Sequence, residues 1–298
     1  MRAGLLPRDL HTSERPSTTA QWTTLARALE LRRPAAQRIV TDAFASVFLT
    51  PPYRRLLRAL AAGGPVVRLS ERHELAGMST YVLCRHRFID DHLTAELRDG
   101  AEQVVLLGAG YDSRAYRFAD LLAGRPVHEV DLAPLSRRKA GIVAANRQLF
   151  GPTAIRRVEI DFRVDSLAER LLDAGFSVGA RTFVVWEGVS MYLSREAITA
   201  TLGTLREVCG SGSVLAMDWL DHLAGWRPVD SLRRAGIGSV RLIGEPVTFP
   251  ASVGQAAALL AGCGFAVTDL ADAAEMTRRY ATDGRSSDRA VYVLAARL

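Results

Sequence analysis

The chain has 298 residues, 48% of them hydrophobic and 23% charged, proportions that exclude disordered and fibrous classes and leave room for a sizeable core. Its net charge is +6, carried by arginine pairs such as Arg32-Arg33, Arg54-Arg55, Arg137-Arg138 and Arg278-Arg279. These are spread through the chain and form no block, which reads as a solvated arginine-rich surface without a nucleic-acid partner.

In chain order, residues 1–17 read as a flexible arm. Its short apolar patch, "GLLP", is no signal h-region. Residues 18–97 read as helical throughout, with apolar residues three and four apart in "AQWTTLARALELRR" and "SERHELAGMSTYVLCRHRFIDDHLTAEL". From 98 to 220 short β-rich runs alternate with helical windows. The candidate strands are "QVVLLG", "PVHEV", "AIRRVEI", "TFVVWEG" and "GSVLAMDWL", and the alternation predicts right-handed βαβ crossovers and a parallel sheet. Ser194 and Gly210 have the residue types that open and close one of the windows. Residues 221–249, rich in Gly, Pro, Trp and Arg, read as an inserted lid. In 250–298 a helix precedes two strands with no long helix between them, which predicts an antiparallel hairpin. The fold class is thus α/β and Rossmann-like: five parallel strands plus a C-terminal antiparallel hairpin, one domain over 18–298. No stretch approaches the ~20 apolar residues of a membrane span. Cys84, Cys209 and Cys263 are too widely separated for a disulfide framework or metal spacing. A cytoplasmic protein is expected, without membrane attachment; a homodimer is left open.

The chemistry gathers at strand ends. "VVLLGAGYDSRAYRF" is a buried strand that breaks into glycines and opens a helix, an arrangement that aims backbone N–H groups at a polar ligand. The series Gly108-Ala109-Gly110-Tyr111-Asp112-Ser113 puts serine where a dinucleotide fingerprint has its third glycine. That favours a cofactor without a pyrophosphate. Asp131 follows Gly110 by 21 residues, where an acid accepts hydrogen bonds from ribose hydroxyls. Asp161 follows the third strand and Glu187 the fourth, on the edge where ligands of open α/β sheets collect.

With these residues in view, the sequence resembles the leucine carboxyl methyltransferase-like family of class I S-adenosylmethionine-dependent O-methyltransferases, including its polyketide O-methyltransferase branch. "RHRFIDD", "LLGAGYDSRAYRF", "HEVDLAPLSRRK", "VEIDF" and "WEGVSMYL" carry the resemblance over about residues 20–298. It implies S-adenosyl-L-methionine as cofactor. Arg85 would pair with its carboxylate, Gly108 and Gly110 make room, Asp131 hold the ribose, Asp161 and Phe162 lie by the adenine, and Glu187 position the methionine end. Tyr192 would stand near the acceptor. Where the family shows a basic residue and then Asp-Pro-aromatic, this chain has Asp42-Ala43-Phe44 with Arg38 nearby, which leaves the second carboxylate clamp unassigned.

Methyl transfer from a sulfonium is an in-line displacement that rests on positioning. A carboxylate acceptor is ionised at pH 7 and needs no base; a hydroxyl does. No dedicated base stands out. His86, beside Arg85, and His222, in the lid, are candidate acceptor-binding residues, set against the plainer reading of surface or capping histidines. "HRFIDDHL" forms no metal site, because Asp91 and His92 rotate off the helix face shared by His86 and Asp90. The expected function is O-methylation of a carboxylate or hydroxyl on a small natural-product-like molecule or a peptide C-terminus. The alternatives are a nicotinamide-dependent oxidoreductase, which Ser113 and the lack of Tyr-x-x-x-Lys argue against, and a non-catalytic S-adenosylmethionine-binding protein.

Overall fold

The computed structural model describes residues 17–62, 75–161, 164–221 and 248–298. The arm at 1–16, Phe162, His222 and all but the ends of the 221–249 lid lie outside the described residues. Seven strands form one sheet: β1 (Gln103–Leu107), β2 (Val127–Asp131), β3 (Ile155–Glu159), β4 (Thr182–Trp186), β5 (Val214–Leu220), β6 (Ala266–Asp272) and β7 (Val291–Arg297). Their order is β3-β2-β1-β4-β5-β7-β6. The first five are parallel, and β7 runs antiparallel to both β5 and β6.

The helices are α1 (Thr18–Glu30), α2 (Ala45–Phe48), α3 (Pro51–Ala61), α4 (Leu75–Arg98), α5 (Arg114–Arg117), α6 (Ala119–Leu122), α7 (Ala133–Ala145), α8 (Leu167–Asp173), α9 (Arg195–Val208), α10 (Val253–Gly262) and α11 (Ala273–Tyr280). Among the described residues no helix is long and apolar enough to cross a membrane.

The central strands are apolar on both faces because both are covered, as a parallel sheet requires. Val104, Leu106, Phe183, Val185 and Ala216 pack on the Tyr81, Phe88, Ile89 and Leu93 side of α4. Val105, Leu107, Val184, Trp186 and Met217 face Ile198, Leu202 and Leu205 of α9 and Leu260 of α10. The order in which strands are added reverses between the parallel β1 and β4, so their C-terminal ends open the crevice in which ligands of such sheets bind.

One expectation is corrected and another is refined. Residues 18–97 are not helical throughout: between α1 and α2 there is only a 3₁₀ turn, Ala35–Gln37. Pro34 opens that turn, and a proline steers the residue before it away from helical angles. Side chains replace the helical ladder there. Arg38 donates to the carbonyls of Leu31 and Arg33, both at 2.9 Å, and Glu30 accepts from the N–H of Ile39 at 2.7 Å. The last two strands do pair antiparallel, but their connection contains the eight-residue α11. Asp272 caps that helix by accepting from the Glu275 N–H at 2.8 Å, and Glu275 pairs with Arg278 and Arg279 on its surface.

Candidate active site

The predicted residues meet at one sheet edge. Gly108 follows β1, Asp131 ends β2, Asp161 follows β3 and Glu187 follows β4. The glycine turn is tight for a physical reason: Gly108 has φ +67°, and a Cβ there would lie 2.4 Å from Val189 Cγ2. Asp131 is held by the turn it faces. Oδ2 accepts from the Gly110 N–H at 2.6 Å and Oδ1 from the Leu132 N–H at 2.7 Å. Each oxygen keeps a second lone pair for hydroxyl donors. Burial raises the Asp131 carboxyl above its ordinary range, opposed by those backbone donors.

Beside this turn lies a buried lattice of arginines and carboxylates. Arg85 donates from Nε to Glu187 at 3.0 Å and from Nη1 to Asp218 at 2.7 Å, and Tyr81 donates to the same Asp218 oxygen. The Asp218 Oδ1 accepts from the Gly188 N–H at 2.6 Å, which fixes the backbone just after Glu187. Two of the three Arg85 nitrogens are therefore engaged within the protein. The third, Nη2, stands 3.4 Å from where a Gly188 Cβ would be, and among the described residues it has no acceptor. Arg114, 1% exposed, binds Asp90 at 2.7 Å, Asp112, and Glu187 at 2.7 Å. Arg117 grips both oxygens of Asp90 at 2.6 and 2.9 Å.

His86 is neither a surface nor a capping histidine; it is 3% exposed inside this lattice. Its Nε2 meets the Arg117 guanidinium at 2.7 Å, and its Nδ1 lies 3.0 Å from Glu187. Arg114 Nη2 also lies 2.9 Å from Nδ1, so a guanidinium, which can only donate, faces each ring nitrogen and disfavours the imidazolium. Burial, followed by Arg114, pushes the imidazole pKa below its usual value. Burial would raise the Glu187 carboxyl, but Arg114, His86 and Arg85 overcome it and hold the group well below the carboxylate range. Asp91 and His92 lie elsewhere: Arg87 pairs with Asp91 at 2.8 Å, and His92 with Asp269 at 3.1 Å.

Tyr192 ends a 3₁₀ turn, Ser190–Tyr192, where its carbonyl accepts from Thr248 Oγ1 at 3.1 Å; the chain thus returns from the lid segment to this tyrosine. Arg38 belongs to the loop described above, and the cation at Asp42 is Arg27, at 2.6 Å. Sequence reasoning missed Tyr81, Arg114, Arg117 and Asp218. A lone acid in the apolar run "VLAMDWL" was the available signal for Asp218, because a buried charge demands a partner.

The fold and the site define a class I methyltransferase architecture. The residues present fit its cofactor. Asp131 would offer lone pairs to ribose hydroxyls, Arg85 Nη2 would offer a donor to a carboxylate, and acids outnumber arginines in the lattice. The leucine carboxyl methyltransferase family profile matches residues 20–206. The chain belongs to that family of S-adenosylmethionine-dependent methyltransferases.

Its relatives carry consistent names. A protein of Parafrankia sp. named as an S-adenosyl-L-methionine-dependent methyltransferase is 35% identical over 69% of this chain and 64% of its own length, so the match spans just under two thirds of that relative. One from Mycolicibacterium smegmatis, named likewise, is 33% identical over 76% of each chain. A DUF574 family protein from Streptomyces avermitilis shares the fold, with a TM-score of 0.57 at 15% identity over 91% of this chain and 96% of that one.

Proposed function

We propose that the protein transfers the methyl group of S-adenosylmethionine to an oxygen nucleophile, a carboxylate in preference to a hydroxyl, on a small natural-product-like molecule or a peptide C-terminus. The state of the two titratable groups beside Arg85, His86 and Glu187, carries this reading. His86 has both ring nitrogens engaged and its pKa lowered, while Glu187 is bound by Arg85, Arg114 and His86. Neither is poised to take a proton from a hydroxyl at neutral pH. A carboxylate acceptor needs no such base, and the family's name points the same way.

When bound, the cofactor supplies an electrophilic methyl on a sulfonium. The protein's part is to bind and orient. Asp131 accepts from the ribose, Arg85 Nη2 donates to the methionyl carboxylate, and the surplus of buried carboxylates favours a cationic ligand. Tyr192 stands on the acceptor side.

Two measurements test this. Asp131→Ala is expected to weaken cofactor binding about tenfold or more, the loss of ~1.5–3 kcal/mol of charged hydrogen bonding; unchanged affinity by calorimetry in a folded variant would refute the site. The product of labelled cofactor with a panel of acids and phenols is expected to be a methyl ester, cleaved by mild alkali and formed at a rate flat between about pH 6 and 8. An alkali-stable product, with a rate rising through a basic group, would overturn the carboxylate reading.

A further inference from the structure

Helix α1 reaches the backbone of the cofactor turn through Arg27. Arg27, 4% exposed, donates from Nη2 to the Tyr111 carbonyl at 2.9 Å, in the middle of the turn that begins at Gly108. From Nη1 it reaches Asp42 at 2.6 Å and Ser113 Oγ at 3.4 Å. The Ser113 hydroxyl, fully buried, donates to Asp42 at 2.7 Å and accepts from Arg117 Nε at 3.1 Å as well as from Arg27. One donor and two lone pairs are the whole capacity of a hydroxyl, and all three are used. Asp42 Oδ1 accepts from the N–H groups of Phe44 and Ala45 at 3.0 and 3.1 Å, so the junction is anchored to the start of α2.

We propose that Arg27, Asp42 and Ser113 form a latch by which the N-terminal helices set the conformation of the cofactor turn, making Arg27 and Ser113 positioning residues for cofactor binding. The proposal rests on the S-adenosylmethionine reading. It also explains the serine at the third position of the glycine series. A glycine there would leave the Arg117 Nε and Arg27 donors and one Asp42 lone pair short of a buried partner, a cost that close helix packing alone does not demand. The chain of consequences is local. The Tyr111 carbonyl orients the peptide before Asp112; the Asp112 N–H bonds the Ala109 carbonyl at 2.8 Å and its carboxylate accepts from the Arg114 N–H at 2.7 Å. Gly110, one residue earlier, presents its N–H to Asp131. Freeing Tyr111 therefore loosens the seat of the ribose-binding acid. A lysine at 27 would keep a charge for Asp42 but could not span three acceptors with a fork.

The test is calorimetric binding of S-adenosylhomocysteine to Ser113→Gly, Arg27→Lys and the double variant, alongside amide hydrogen exchange of residues 108–113. The expected result is a roughly tenfold weaker Kd for each single variant, a double variant little weaker than the weaker single one, and faster exchange of the turn amides than of β1. Wild-type protein that fails to bind S-adenosylhomocysteine would overturn the cofactor reading itself. Binding by wild type with variant affinities within twofold, whatever their melting temperatures, would overturn the latch alone. Should Arg27→Lys fail to fold, Ser113→Gly and Ser113→Ala decide the matter by the same two readouts.

Discussion

His128 shows what one side chain does when the fold gives it nothing to bond. It is fully buried on β2, packed edge-on against Phe176 at 5.4 Å, and neither ring nitrogen has a hydrogen-bond partner among the described residues. Burial, with Arg156 nearby, pushes its pKa down to about 4, against about 6.5 in an unfolded chain. Between these values the unfolded state binds the extra proton. Stability supplied by the neutral ring is therefore complete above about pH 6.5, falls as the pH is lowered toward 4, and loses no more below that. The full effect is about 3 kcal/mol at most. His128→Leu is expected to raise the urea midpoint, and to raise it more at pH 5 than at pH 7.5. An equal gain at both would show that the histidine does not titrate as its burial dictates. The strand "PVHEV" contains this histidine, but nothing local says that it sits alone, because its neighbours come from other strands and helices.

At the level of elements, what was legible followed local chemistry. β-branched and aromatic runs became strands within two residues of the expected ends. Ser194 caps α9, accepting from the Ala197 N–H at 3.2 Å, as its residue type implied. The glycine turn adds a contact that no local pattern encodes, with Val189 on the neighbouring strand's exit. Gly108→Ala should lose about 2–4 kcal/mol, of which the overlap with Val189 accounts for roughly 1–3 and the left-handed backbone for about 1. Val189→Ala introduced into that variant is expected to restore the overlap part and leave the backbone part. If the second change restores nothing in urea unfolding, the contact is not what excludes a side chain. The antiparallel pairing of the last two strands was legible in the same way, and the short α11 between them is held by its Asp272 cap and by Met276, fully buried in the core with Phe88 and Ile89 of α4.

For the whole molecule, the N-terminal helices are tied to the far end of the chain. Arg285, in the loop before β7, grips both oxygens of Glu30 at 2.8 and 2.9 Å, and Arg33 reaches Asp283 at 3.2 Å. Glu30 is 2% exposed, so removing its bidentate partner leaves a buried carboxylate with only the Ile39 N–H and Arg33, 3.5 Å away. Arg285→Ala should cost about 3 kcal/mol, the low end for breaking a buried pair, read as a fall in the urea midpoint. A change below about 0.5 kcal/mol would place this contact among ordinary surface pairs.

The sequence by itself determined the alternation of strands and helices, the glycine turn, and the acids at Asp131, Asp161 and Glu187, because each depends on residues adjacent in the chain: periodicity, backbone freedom, and the end of a strand. Only the tertiary structure decided how the charges are shared. Arg85 lies 133 residues from Asp218, Arg27 lies 86 from Ser113, and Glu30 lies 255 from Arg285. A buried ion pair is chosen by distance and by exclusion of water, neither of which spacing along the chain records.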